Sequence, residues 1–324
     1  MCGRSTSNLS RVSRTTFGEL APHQLGDVSR LCEQELTLDR FAGSIPRIVT
    51  RQPYVGLVAV QDSATVGACI GSVAGAGDAS AEGFIDLLVV GRAQQRQGIG
   101  RKLAAEMERL LAARGCQRID LAAGSPNGAW PGVDVHYSAA VCFGEDAGYQ
   151  RQGCEVNMDV DLARAPLDTR AAENRLASEG IEVRRADAGD DGPLQESLGS
   201  TWQADWIAEI TEALRGGEAG LHVAVRGGRY VGFCCYGVNR VHEVGPIGTD
   251  PEMRSLGIGG VLLKRCLAEQ RDRGITDAEL VWVGPLSYFS RAVGATIGRV
   301  FWQYSKDLSG ASRAPDWRDR IGLV

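Results

Sequence analysis

Apolar positions along this chain change period twice, in the same order each time. Residues 56–60 and 66–73 read as two strands meeting at a short turn, and residues 221–225 and 230–238 repeat the pattern, with Gly227-Gly228 as a strong hairpin signal. A third strand follows in each case, at 84–90 or 241–248, and then a glycine-bearing loop. Beyond the loop the period shifts from 2 to 3.6. Leu103, Met107, Leu110 and Leu111 form one helical stripe, and Leu262, Leu263, Cys266 and Leu267 form the other. Arg114-Gly115 and Arg273-Gly274 read as helix stops. Apolar strands at 119–122 and 280–283 follow, then a short helix and a last strand. An amphipathic stretch (Leu25, Val28, Leu31, Cys32) opens the first half, residues 168–180 read as a helical connector, and 309–324 as a tail.

The parallel order reflects a repeat. Residues 58–73 align with 223–238 at an offset of 165, with seven of sixteen positions identical. At an offset of 159, Gly98-Ile99-Gly100 aligns with Gly257-Ile258-Gly259, and Leu103, Arg114 and Gly115 align with Leu262, Arg273 and Gly274. At an offset of 146, Phe143 and Gly148 align with Phe289 and Gly294. The falling offset places two extra stretches in the first copy, near 75–83 and 124–137. Two copies of one domain, at 1–165 and 166–324, are expected rather than a solenoid. Each is of the α/β class, an α+β arrangement with a mixed sheet.

Composition fits two cores. The chain has 324 residues, 44% hydrophobic and 23% charged, enough for two domains of ordinary size. The net charge of −5 is shared between the halves, so electrostatic capture of nucleic acid or an anionic membrane is not expected. Nine scattered cysteines without a CxxC pair predict reduced thiols in a cytoplasmic protein, with neither a disulfide framework nor a metal site. The first 16 residues lack the apolar core of a secretory signal, and no apolar run approaches the roughly 20 residues of a membrane span.

Strand, then Gln95-Arg96-Gln97-Gly98-Ile99-Gly100, then helix is a geometry that binds phosphate. The first helical N–H groups lack intrahelical partners, and the helix dipole favours an anion there. The second copy reads Pro251-Glu252-Met253-Arg254-Ser255-Leu256-Gly257-Ile258-Gly259-Gly260. Glycines that merely close a tight turn are the plain alternative, and duplication argues against it. A Rossmann fingerprint would need a third glycine where Leu103 and Leu262 stand, and no Walker loop is present. An R/Q-x-x-G-x-G loop between strand and amphipathic helix resembles the acyl-coenzyme A signature of the GNAT acetyltransferase superfamily, here twice over. Arg92 replaces the family's usual proline and Thr249 its usual valine. The Trp130-Pro131-Gly132-Val133-Asp134 insertion is similar to one in tandem GNAT proteins, some of them from antibiotic biosynthesis. The resemblance implies acetyl-CoA, or another acyl-CoA, held by Leu88, Val89, Val90, Gln95, Arg96, Gln97, Gly98, Ile99, Gly100 and Arg101 in the first copy. In the second it implies Ile247, Thr249, Arg254, Ser255, Leu256, Gly257, Ile258, Gly259 and Gly260.

Acyl transfer to an amine needs a base for the amine and an acid for the departing thiolate. The resemblance implies a glutamate base fourteen residues before the first glycine. Glu243 stands there in the second copy and Phe84 in the first, with Asp86 and Glu82 one strand step away. Chemistry is therefore expected in the second domain, with the first holding cofactor without turnover. The family's tyrosine acid would fall at Ser290, and Tyr288 is the nearest substitute. His242 should face away from Glu243 on a regular strand; His136 and His222 read as ordinary histidines, and Cys234 and Cys235 as buried, inert thiols. Two functions stay open: an N-acyltransferase acting on a small-molecule amine in a ternary complex, or a protein that binds acyl-CoA in both copies and transfers nothing.

Overall fold

The computed structural model describes residues 14–51, 53–75, 81–124, 128–198 and 204–308. The chain runs β1 (Thr16–Glu19), α1 (Leu25–Glu35), α2 (Ile45–Val49), β2 (Val55–Gln61), β3 (Ala64–Ala74), β4 (Glu82–Val90), α3 (Ile99–Ala112) and β5 (Arg118–Leu121). It continues through β6 (Val133–Asp134), α4 (Ser138–Asp146) and β7 (Gln150–Asp161). The second repeat supplies α5 (Arg170–Ser178), β8 (Ile181–Arg185), α6 (Asp191–Leu198), α7 (Ala204–Leu214), β9 (Gly220–Arg226), β10 (Arg229–Tyr236) and β11 (Glu243–Thr249). It ends with α8 (Ile258–Asp272), β12 (Asp277–Leu280), α9 (Leu286–Val293) and β13 (Thr296–Asp307). The mixed α/β reading holds. The expected strand at 280–283 lies earlier, as β12, because its paired registers with β11 and β7 end at Leu280, with single backbone bonds from Val281 and Val283 beyond it. The tail at 309–324 and part of the 75–83 stretch lie outside the described residues.

Two compact units form, one from the described residues up to Ile119 with Asp307 and Leu308, the other from Asp120 to Lys306. In the first, β1 to β4 form an antiparallel meander. The stripe on α3 buries Leu103, Met107 and Leu111 at 0–1% exposure, and a β-carbon on Gly71 would stand 2.9 Å from the Met107 sulfur, so the sheet is glycine-lined where the helix crosses it. In the second unit the strand order is β13-β7-β12-β11-β10-β9-β8. One face carries α5, α8 and α9 over a core including Leu262, Leu263 and Leu267; the other packs α6 and α7 through Leu194, Ile210 and Phe233. Each such aliphatic or aromatic side chain contributes about 1.5–3 kcal/mol when fully buried.

The units do not divide where the repeats do. β6, α4 and β7 belong to the first repeat but pack within the second unit, where β7 pairs antiparallel with β12 on one side and β13 on the other. The 1–165 and 166–324 division accordingly stays a proposal about the repeats. Local detail repeats closely. The β9–β10 turn places Gly227 and Gly228 at φ 56° and 82°, the two positive values a tight hairpin requires, and the β2–β3 turn holds Asp62 and Ser63 at 49° and 66°.

Candidate functional site

Both glycine loops adopt one backbone course from different residues. After β4, a 3-10 turn at Arg92–Gln94 leads through extended Gln95 and Arg96 (φ 62°) to Gly98 (φ 81°, ψ 2°) at the start of α3. After β11, the turn Pro251–Met253 leads through extended Arg254 and Ser255 (φ 76°) to Gly257 (φ 86°, ψ 11°) at the start of α8. Only glycine takes that left-handed position without steric cost. The turn itself is capped differently in each copy. Asp250 accepts from the Glu252 N–H at 2.9 Å, whereas in the first copy Glu35, from α1, accepts from the Arg92 N–H at 2.7 Å. Neither Gly98 nor Gly257 offers a side-chain cap, so the first-turn N–H groups stay available to an anion.

Eight of the expected loop residues are exposed: Gln95, Arg96, Gln97, Gly98 and Arg101 in one copy, and Arg254, Ser255 and Gly257 in the other. Val89, Ile99 and Ile258 are buried, so their side chains anchor the loop in the core and only their backbones can meet a ligand. Leu88, Val90, Gly100, Ile247, Thr249, Leu256, Gly259 and Gly260 are half-buried at the rim. A cation that the sequence reading did not single out stands beside the second loop. Arg175 of α5 reaches the Leu256 carbonyl at 3.4 Å and would stand 3.1 Å from a β-carbon on Gly257. Bare N–H groups, a glycine and a guanidinium fit a pyrophosphate.

The second unit opens a cavity of about 480 Å³, whose wall reaches Ile247 on β11, the strand that leads into this loop, and Leu263 on the helix that follows it. It opens because β11 and β12 stay parallel partners only through Glu243 with Glu279 and Val244 with Leu280. Next on β11 come Gly245 and Pro246, which form a bulge opposite Cys235, and Pro246 has no N–H to donate. On the other side the chain turns at Trp282, held at φ 53° with its N–H donated to Asn157 Oδ1 at 2.9 Å. Ala123, its counterpart in the first repeat, has φ 58°. The first-repeat insertion supplies part of the cavity wall through Gly124, Gly128, Ala129 and Pro131.

Glu243 lines this cavity at 6% exposure. Burial pushes its carboxyl above the ordinary range, opposed by the Arg240 guanidinium with which it forms an ion pair. Arg240 is itself buried, donates to the Ala129 carbonyl at 3.2 Å and stacks 5.6 Å from the Trp130 ring centre. The insertion thus braces the arginine that braces Glu243. His242 departs from expectation. It precedes the strand in a turn, so strand parity does not govern it, and its Nε2 lies 3.3 Å from Glu279 on the Glu243 side of the ladder. Possible ligand atoms of His242, Glu243 and Glu279 lie within 4.8 Å of one another. Arg240 and the Asn157 amide, 2.6 Å from Glu279, already satisfy this group as an internal ion-pair network.

Tyr288 does not line the cavity. Its hydroxyl sits over the first turn of α8, 3.1 Å from a β-carbon placed on Gly259, with Thr249 Oγ1 at 3.2 Å from the same point. Burial pushes it up to about 12, so the phenol keeps its proton at neutral pH. In the first unit Phe84 is buried against Ser72 across the ladder, and Asp86 is the extra residue of a bulge between the Ile70–Leu87 and Gly71–Ile85 pairs. Burial pushes Asp86 up to about 7, with the nearby Ser72 hydroxyl pulling the other way. His136 is a surface residue bonded to Asp134, and His222 is buried against Glu269. Cys234 and Cys235 are buried. Among the described residues, no helix is long and apolar enough to cross a membrane.

Comparison with known proteins agrees with this geometry. A mycothiol acetyltransferase from Geodermatophilus obscurus is 29% identical over 220 residues, 62% of this chain and 64% of that protein. A glucosamine N-acetyltransferase region in a fungal multi-domain β-N-acetylglucosaminidase superposes with a TM-score of 0.73 at 18% identity, over 93% of this chain and 40% of that one. A tandem GNAT protein of the clavulanic acid pathway superposes with a TM-score of 0.66 at 17% identity, over 92% of this chain and all of that one. The family model for the acetyltransferase (GNAT) family matches residues 23–129 and again 191–291, and with both copies of the glycine loop in place the chain belongs to that family as a tandem member.

Proposed function

We propose that the protein is an acyl-CoA-dependent N-acyltransferase, most simply an acetyltransferase, acting on a small-molecule amine by direct transfer in a ternary complex. One observation carries this reading: Glu243 sits in the wall of a cavity opened by the parting of β11 and β12, on the same strand that leads into a glycine loop whose helix-terminal N–H groups have no side-chain cap. The loop and Arg175 would hold the pyrophosphate of acetyl-CoA, the acyl donor that the family generally uses. The amine nitrogen forms a bond to the thioester carbonyl carbon as the carbon–sulfur bond breaks. Glu243 takes the proton released by nitrogen, and a carboxyl raised by burial is a better base than an exposed one. Tyr288, protonated and on the loop side, would supply a proton to the departing thiolate.

The first copy would bind acyl-CoA without turnover, since Phe84 occupies the position of Glu243 and cannot accept a proton. The names of the relatives, a mycothiol acetyltransferase and a glucosamine N-acetyltransferase region, support transfer to a small molecule. A cytoplasmic location belongs to the same proposal, supported by eight cysteines present as thiols among the described residues. Glu243→Gln tests the assignment. It keeps the shape but cannot take a proton, so turnover should fall roughly 10²- to 10⁴-fold with acyl-CoA affinity nearly unchanged. Turnover above a third of wild type would place the base elsewhere.

A further inference from the structure

The cavity beside Glu243 has a one-sided chemistry that bears on the acceptor. Its described wall carries two carboxylates, Glu209 and Glu243, and no lysine, arginine or histidine. Arg240 lies behind Glu243 and is committed to it. Asn157 and Asn239 are the remaining polar lining residues, and Asn157 already serves Glu279 and the Trp282 N–H. Everything else is glycine or apolar, including two tryptophans. Trp206 is set by edge-to-face packing on Phe233, with ring centres 5.8 Å apart, while Trp282 is 47% exposed on a left-handed backbone. A bulky residue in that conformation is strained, and the hydrogen bond from its N–H to Asn157 helps to hold it there.

We infer that the acceptor is a primary amine on a flat, largely apolar body without an anionic group, its body against Trp206 and Trp282 and its ammonium drawn by Glu209 and Glu243. The physical reasons are separate. An anion brought into this wall would meet two carboxylates, one of them already balanced by Arg240, and no lysine, arginine or histidine among the described lining residues to pair with. A cation gains from both carboxylates and from the indole faces. A polyhydroxylated body would leave hydroxyls unsatisfied against an apolar wall, each stripped of water without a replacement partner. This inference rests on acetyl transfer being the reaction, and the test separates the two.

Tryptamine, tryptophan and glucosamine form the probe set, the first two differing only by a carboxylate. With the full chain and acetyl-CoA, thiol release should favour tryptamine over tryptophan and over glucosamine by at least about 100-fold in kcat/KM. Calorimetric binding of the free amines should show the same order. Glu209→Gln should narrow the tryptamine-to-tryptophan ratio at least tenfold, and Trp282→Ala should raise the tryptamine KM with kcat little changed. Tryptophan or glucosamine acetylated as well as tryptamine would overturn this inference and leave acetyl transfer standing. The expected binding order without acetylation of any amine would do the reverse. Absence of both binding and transfer would sink both.

Discussion

Asp86 makes the pH response of the first unit calculable. Its carboxyl is buried at 2% exposure, neither oxygen makes a hydrogen bond of ordinary geometry, and burial pushes it from 3.8 up to about 7. The folded chain therefore keeps a proton that the unfolded chain has already lost. The associated stability is complete below about pH 4, declines as pH rises, and is gone above about pH 7. Each pH unit in that window costs about 1.4 kcal/mol, or roughly 4 kcal/mol in all and about 3 kcal/mol between pH 5 and pH 8. Asp86→Asn removes the titration while keeping the shape. The stability difference between variant and wild type should then move by about 3 kcal/mol in the variant's favour from pH 5 to pH 8. Amide exchange of β3 and β4 peptides through a urea series at both pH values measures this, and comparing the two proteins cancels every other titrating group. Parallel pH profiles for the two proteins would refute the reasoning.

Five further variants have definite expected outcomes. Arg240→Gln should shift the acid limb of the kcat/KM profile to higher pH, because it removes the guanidinium that opposes the burial-raised proton affinity of Glu243; an unmoved limb would separate Arg240 from the base. Tyr288→Phe should lower kcat by roughly 10²-fold, the usual minimum for an acid group, with little change in acyl-CoA affinity measured by calorimetry. Gly98→Asp should remove one bound acyl-CoA equivalent in native mass spectrometry, and Gly257→Asp should remove turnover, each placing a carboxylate where an anion must dock. Ser63→Gly, at φ 66° in the β2–β3 turn, should raise stability by about 1 kcal/mol in urea unfolding.

The repeat and its loops were legible because their signals are local: alternation, a 3.6-residue stripe, and glycine where a left-handed turn is needed. Gly115 and Gly274, expected as helix stops, are both left-handed, at φ 93° and 87°. Features set by distant partners were not legible. β12 begins at Asp277 because its register is set by β7 and β11, whereas the more apolar 281–283 run lies in the cavity wall. The Arg240–Glu243 pair spans a turn that a continuous strand reading had straightened, and this also reversed the expected side of His242. Arg175 carries no pattern of its own and matters only because α5 lies against the loop. Trp282 looked like one more apolar strand residue until its backbone proved to be left-handed.

The placement of β7 has a consequence for synthesis on the ribosome. Met158 pairs with Leu280 and Ile297, both more than a hundred residues downstream. At translation rates of about 5–20 residues per second, β7 is made roughly ten seconds before either neighbour exists. During that interval a strand carrying Val156, Met158 and Val160 has neither of its sheet partners, though the first repeat is otherwise complete. Its alternating Glu155, Asn157, Asp159 and Asp161 keep the opposite face charged or polar throughout the wait. That polar face suits a strand that must stay soluble alone before it becomes interior to a sheet.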